Sequence, residues 1–237
     1  MNGYELKLRA KELLKTSKPS PVLMGLIFTA VSMLMSALSS TVLSTNITTD
    51  NAGRFMNAYQ NGNIEKAYTY ISTFEPSTTG ELISLALTLV SWRVPAGFVI
   101  FLLNTIRANG AASYANILDG FGLTLRVILL NILTTLIIAV ASLLLIVPGI
   151  IMFFAYSQAI YILIDNPDKS VIQCMKESRR MMRGRKWSLF GINMSMIGWY
   201  ILEGLIGPAA IFVAPYTGLV HGLFYERLRG EQSWDSL

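Results

Sequence analysis

The chain has 237 residues, 53% of them hydrophobic and only 14% charged, with a mean hydropathy of +0.50. That composition excludes an ordinary water-soluble domain and reads as an all-α integral membrane protein. The formal net charge of +5 would suit nucleic acid, but the positions of the cations along the chain point to a membrane instead, and no nucleic-acid partner is expected.

A bilayer core about 30 Å thick needs roughly 20 apolar residues of helix to cross it. Six segments meet or approach that length: 21–43, 82–106, 124–146, 149–164, 187–206 and 208–226. Ahead of the first, residues 1–20 form an N-terminal interfacial helix. There Leu6, Ala10, Leu13 and Leu14 oppose Arg9, Glu12 and Lys15 at helical spacing. The first span follows a basic start and carries small residues at Ser36, Ala37 and Ser39, as a signal peptide does. Its apolar run continues to Leu43, so the expectation is a retained signal anchor. Residues 44–81 make an extracytoplasmic loop. Within it the stretch from Phe55 to Phe74 mixes aromatic and polar residues, which suggests one or two short helices on the outer surface. Asn46-Ile47-Thr48 matches a glycosylation sequon, a triplet that chance supplies often.

Arg93 lies inside the second span, about 16 Å below the outer surface by helix rise. A charge at that depth costs several kcal/mol unless it is paired or wetted. Pro95 follows and frees backbone carbonyls that a guanidinium can bind. Glu203 is the one carboxylate well inside another span, about 6 Å deep. Three readings stay open: a structural Arg93 to Glu203 pair or carbonyl-bound arginine, a ligand-binding arginine in a central cavity, or a misplaced span boundary. Anionic lipid or a peptide carboxylate is the natural ligand in the second.

Residues 107–123 and 165–186 are cytoplasmic interfacial segments preceding spans three and five. In the first, SYANILDGFG, residues 113–122, is a short helix of this kind; the second holds SVIQCMKESRRMMRG, residues 170–184. At 100° per residue Val171, Cys174, Met175, Ser178, Met181 and Met182 share one side, Lys176, Arg179, Arg180 and Arg183 the other, and Ser170 is placed to cap the first turn. These four cations with Lys186 are the candidate lipid headgroup contacts, and Trp187 marks the membrane boundary. Between spans three and four Pro148-Gly149 supplies the outer turn, and Gly207-Pro208 does the same between spans five and six.

With the N-terminus cytoplasmic, sixteen of the 19 basic residues fall on the inner side; only Arg54 and Lys66 lie outside, and Arg93 lies within a span. Both termini are therefore expected in the cytoplasm. Interfacial helix, span out, span back recurs three times, and Asn109, Ser113 and Leu118 recur as Asn166, Ser170 and Met175, 57 positions on. This suggests a threefold parallel repeat within a single six-span membrane domain covering 1–237.

Little here points to catalysis. Cys174 is the only cysteine and His221 the only histidine, with neither a second histidine nor a nearby acid beside it in the sequence. No enzyme activity, cofactor or metal is expected. A non-enzymatic scaffold or accessory protein serving envelope homeostasis, export or immunity ranks first, and a transporter or lipid-handling protein built around Arg93 second. The expected partners are membrane lipids, chiefly anionic headgroups of the cytoplasmic leaflet, and a membrane protein or a second copy of the chain.

The run from Leu143 to Leu205, with APYTGLVHGLFYERL after it, resembles the bacterial membrane proteins catalogued as domain of unknown function 975. The resemblance rests on Pro148-Gly149, Tyr156, Asp165-Asn166-Pro167, Ser178, Met182-Arg183-Gly184, Trp187, Phe190, Ile197-Gly198-Trp199, Pro215-Tyr216 and Phe224-Tyr225, with Leu118 to Phe121 as a further match. It implies a six-helix bundle in a bacterial, Gram-positive type of cytoplasmic membrane and no known reaction. Arg93 and Glu203 stand outside the pattern. The Pro-Gly turn, Ser178 and the region from Arg183-Gly184 to Trp187 are also similar to the membrane domain attached to some glycerophosphodiester phosphodiesterases, without their catalytic barrel.

Overall fold

The computed structural model describes residues 3–44, 49–72, 82–87, 94–107, 112–120, 122 and 124–234. Among the described residues the protein is all-helical, 86% helix, with no strand. Its internal contacts form two compact units, residues 1–30 with 92–237, and residues 31–91.

In the larger unit, α1 (Gly3–Thr16) precedes the start of α2 (Pro21–Ser44). After these come α3 and α4 of the smaller unit, Thr49–Gln60 and Ile64–Ser72. The larger unit resumes with α5 (Val94–Arg107), a single turn α6 (Asn116–Asp119), α7 (Thr124–Leu144), α8 (Ile146–Tyr156) and α9 (Ala159–Asp165). It ends with α10 (Val171–Met181), α11 (Lys186–Ser195), α12 (Ile197–Leu205), a 3-10 turn (Gly207–Ala209) and α13 (Ala210–Trp234). Among the described residues, four stretches are long and apolar enough to cross a membrane: Pro21–Ser39, Leu125–Leu144, Ile146–Asp165 and Gly207–Glu231. The second of the six expected spans is helical over residues 82–87 and again in the shorter apolar helix α5, with residues 88–93 outside the description. The fifth is broken at Met196 (φ −104°, ψ 3°), where α11 gives way to α12.

The core gathers around α13, against which α1, α5 and α10 pack. Gly218 and Gly222, one helical turn apart, face Leu102 and Ile106 of α5, and the missing side chains let the two helices approach closely. Leu6, Ala10 and Leu13 of α1 are buried. So are all six residues that the spacing of α10 places on one side, whereas Lys176, Arg179, Arg180 and Arg183 are exposed. The apolar faces of both helices are thus covered by the chain itself.

Helix α10 begins with a capping box: Ser170 Oγ accepts from the Gln173 N–H, and Gln173 Oε1 accepts from the Ser170 N–H. Gly184, at φ +78°, then turns the chain into α11, a left-handed conformation that glycine adopts without steric cost. Farther along α10, Ser178 Oγ donates to the Ala155 carbonyl at 2.8 Å and accepts from the Gln158 N–H at 3.2 Å. Those two backbone groups lie where α8 breaks into α9, so one hydroxyl satisfies a helix end that would otherwise be buried without partners. Ser178→Ala is expected to cost about 2 kcal/mol, read by thermal unfolding in detergent; an unchanged midpoint would show that the break needs no external support.

Two details differ from the sequence expectations. The turn between α7 and α8 falls at Leu145 (φ −161°, ψ 143°), three residues ahead of Pro148-Gly149. Pro148 instead occupies the first turn of α8, where its missing N–H has no partner to lose, and Gly149 allows that turn to pack directly on Ser142 of α7. The segment from Ser113 is helical for one turn only. Its polar side chains bind the local backbone and one another: Asn116 Oδ1 accepts from the Ser113 N–H, Ser113 Oγ from the Ala115 N–H, and Asn116 Nδ2 donates to Asp119. Such bonds compete with helix propagation.

In the smaller unit α3 and α4 form a helical hairpin turned by Gly62 at φ +70°, with the Asn63 N–H donating to the Ala58 carbonyl at 2.9 Å. One or two short helices are expected between Phe55 and Phe74; there are two, and the first begins earlier, at Thr49, while the sequon at Asn46 lies outside the described residues.

Candidate functional site

The largest concentration of charge inside the larger unit lies where α5 and α9 end and α13 passes them. Arg107 is the last residue of α5, a favourable place for a cation because the helix dipole leaves partial negative charge there. Asp165 closes α9, where the same dipole disfavours a carboxylate, so its charge must be held by neighbours. They are present. One terminal nitrogen of Arg107 donates to both oxygens of Asp165 at 2.9 Å and to Glu226 Oε1 at 2.6 Å, while Nε reaches Glu226 at 2.8 Å.

Arg229 approaches Asp165 and Glu226, each at 3.1 Å. The Tyr225 hydroxyl donates to Asp165 at 2.8 Å, and its ring stacks on Tyr161 at 5.1 Å, one turn earlier on α9. The side chain of Asp165 is 9% exposed and that of Arg107 23%, so each would suffer alone; Arg229, 50% exposed, is the solvated edge. Two guanidinium groups and two carboxylates balance in formal charge, and Arg107 binds both acids at once. The arrangement clamps three helices. Its contacts use the charge of each member on another member.

Other polar groups are spent in the same manner. His221 Nε2 lies 2.7 Å from Asn193 Oδ1, joining α13 to α11. The Tyr114 hydroxyl accepts from the Ser20 N–H at 2.8 Å and so ties the segment before α6 to the entry of α2. Cys174 is fully buried on the inner face of α10; burial pushes its thiol pKa up, and the nearby Glu177 charge adds to the rise. Its thiolate fraction at neutral pH is correspondingly low. Maleimide labelling at pH 7.5 should be at least about tenfold slower in the folded than in the denatured chain, and equal rates would contradict this burial.

Among the described residues no group of three or more metal-ligating side chains occurs. Arg93 lies outside the described residues, and with it any pairing to Glu203, which is half-buried on α12. Of the proposed headgroup cations, Lys176, Arg179, Arg180 and Arg183 are exposed and Lys186 is half-buried. The structure does not bring them together with the Arg107 cluster. Sequence reasoning missed that cluster because Arg107 and Arg229 counted only as inner-side cations. The available signal was that Asp165 and Glu226, two acids, stand at the ends of expected spans on that same expected side.

No curated protein matches the chain and no solved structure does. The model of a family described as proteins of unknown function, DUF975, matches residues 82–232, which include every member of the cluster and both partners of Ser178. The chain belongs to the DUF975 family.

Proposed function

We propose that the protein is a six-span, non-enzymatic scaffold or accessory protein of a bacterial cytoplasmic membrane, with both termini inside, that presents α10 as a basic docking face. The observation that carries this reading is the ion cluster. In a six-span layout Arg107, Asp165 and Glu226 stand at the inner ends of spans two, four and six, and a common contact among them fits even-numbered spans that end on one side. The same layout accommodates a threefold repeat. Ser113 and Ser170, 57 positions apart, each have their N–H accepted by the side chain three residues on, Asn116 and Gln173. The similarity to the phosphodiesterase membrane domains is consistent with such a bundle and carries no phosphodiester chemistry to this chain.

A scaffold needs a stable frame and an accessible surface. The cluster, Ser178 and the His221 to Asn193 contact fix the frame, while the cations of α10 face outward and suit anionic headgroups, a cytoplasmic protein or a membrane partner. The deciding experiment is affinity isolation of the chain from native membranes, with lipid analysis of the same sample. A stoichiometric partner that is lost on Arg179→Glu with Arg180→Glu, while membrane insertion persists, supports the proposal. Insertion with no partner retained in either form counts against it.

A transporter or lipid-handling protein is the second reading. It is favoured by a cavity of about 360 Å³ between α5, α7 and α9, lined by Pro95, Asn131 and Thr135 among apolar residues. Polar side chains in a spanning helix beside a proline suit a passage better than a lipid-facing surface. Uptake or export lost on Arg93→Ala in a protein that still folds and inserts would select this reading.

A further inference from the structure

Apart from that cavity, a groove of about 570 Å³ runs between α8 and the start of α11. Its walls include Ile150, Ile151 and Phe154 of α8 and Phe190 of α11, where Phe154 and Phe190 meet edge to face at 5.9 Å. Lys186, the first residue of α11, is the one charged side chain lining it among the described residues, and Trp187 beside it is 81% exposed. The volume lies within the range of sites that hold small molecules, about 300–1,000 Å³. Its character is uneven: apolar along α8, which belongs to a stretch able to cross a membrane, and cationic where α11 begins.

We infer that this groove binds one acyl chain of an anionic phospholipid, with the phosphate held by Lys186 and Arg183. The inference rests on the membrane reading above and adds a ligand class and a location to it. Charge complementarity selects the occupant. Arg183 is exposed and, among the described residues, has no carboxylate partner, in contrast to Arg185, whose guanidinium lies 2.9 Å from Glu231. Lys186 in the lining, with Arg183 three positions earlier in the chain, sets positive charge beside an apolar groove and matches a molecule with an apolar tail and an anionic head. A second copy of the chain docked there by twofold symmetry would bring a second Lys186 and Arg183 into the same region, a repulsive arrangement. Zwitterionic lipid supplies the tail but no net charge.

Trp187 reports directly on the groove once the other tryptophans are replaced, by Trp92→Phe, Trp199→Phe and Trp234→Phe in the full chain. This protein is placed in nanodiscs of phosphatidylcholine containing increasing fractions of phosphatidylglycerol or phosphatidylcholine with brominated acyl chains, and quenching of Trp187 is followed. Phosphatidylglycerol is expected to reach half-maximal quenching at a mole fraction at least about fivefold lower, since one cation near an anionic surface contributes about that factor. Lys186→Glu with Arg183→Glu should abolish the preference, Lys186→Arg should keep it, and Ile151→Phe should weaken quenching by both lipids.

Equal quenching by the two lipids overturns the inference, as does a preference that survives charge reversal. So does displacement by soluble glycerol 3-phosphate, which would make the site one for the free anion, and so does a crosslinked dimer whose Trp187 is shielded from both lipids. A chain that fails to enter nanodiscs sinks the membrane reading itself, whereas insertion with equal quenching sinks only the groove.

Discussion

Asp165→Ala is expected to destabilise the folded protein by about 2–4 kcal/mol, measured by thermal or denaturant unfolding in detergent. The value follows from what the substitution leaves behind. Arg107 would retain Glu226 but lose its contacts to Asp165, Arg229 would retain only Glu226 of the two acids, and the Tyr225 hydroxyl would lose its acceptor. A buried charge left partly unpaired is more costly than an intact pair is stabilising. Arg107 is 23% exposed and Arg229 50%, and this access to water places the figure below the full cost for a dry site.

Asp165→Asn should be nearly as damaging, because it keeps the shape and removes the charge. Tyr225→Phe should cost only about 1 kcal/mol, the contribution of one hydrogen bond. The informative combination is Arg107→Met with Asp165→Leu, which removes the pair together and should recover part of the loss. Additive losses would mean that the two residues act independently, and the clamp would have to be abandoned.

How far these features were legible depends on the range of the interaction that creates them. Helix α10 could be read closely: its cap, buried face and charged face are fixed within one or two turns, and Ser170, Cys174, Ser178 and Arg179 each occupy the position that helical spacing assigns. The six residues of its apolar face were identified; that they cover the α8–α9 break and not lipid depended on the tertiary fold. The segment from Ser113 misled for a local reason, since apolar spacing competes there with side chains able to bind the backbone.

The ion cluster was hidden for the opposite reason. Arg107 meets acids 58 and 119 residues away. No periodicity within a helix encodes which helix ends will touch. The sequence reading treated cations as reporters of membrane side, which is a property of each charge alone, whereas the cluster is a property of pairs. It looked for a paired arginine at mid-membrane, on Arg93, whereas Arg107, which binds two distant acids, stands at a helix end.

Gly97→Ala is the second substitution with a large expected effect, a loss of about 3 kcal/mol or failure to fold. A methyl group at Gly97 on α5 would collide with the backbone of Ile117 in α6: its carbonyl oxygen stands closest, and the carbonyl carbon and Cα both lie 2.7 Å from the new atom. Backbone cannot rotate away as a flexible side chain would. Relief requires shifting either α5 or the turn bearing Asn116 and Asp119, whose hydrogen bonds hold the segment in place. The effect therefore comes from close approach of two segments and not from helix propensity, in which alanine is the better residue.

Gly191→Ala on α11 and Gly204→Ala on α12 separate the two causes. Both positions open onto free space and neither has a positive φ, so alanine there should be neutral or stabilising by up to about 1 kcal/mol. If all three variants melt alike in detergent, the close packing of α5 on α6 is not present in solution. If only Gly97→Ala falls, a glycine inside an apolar helix marks where the chain draws α6 against the helix that carries Arg107.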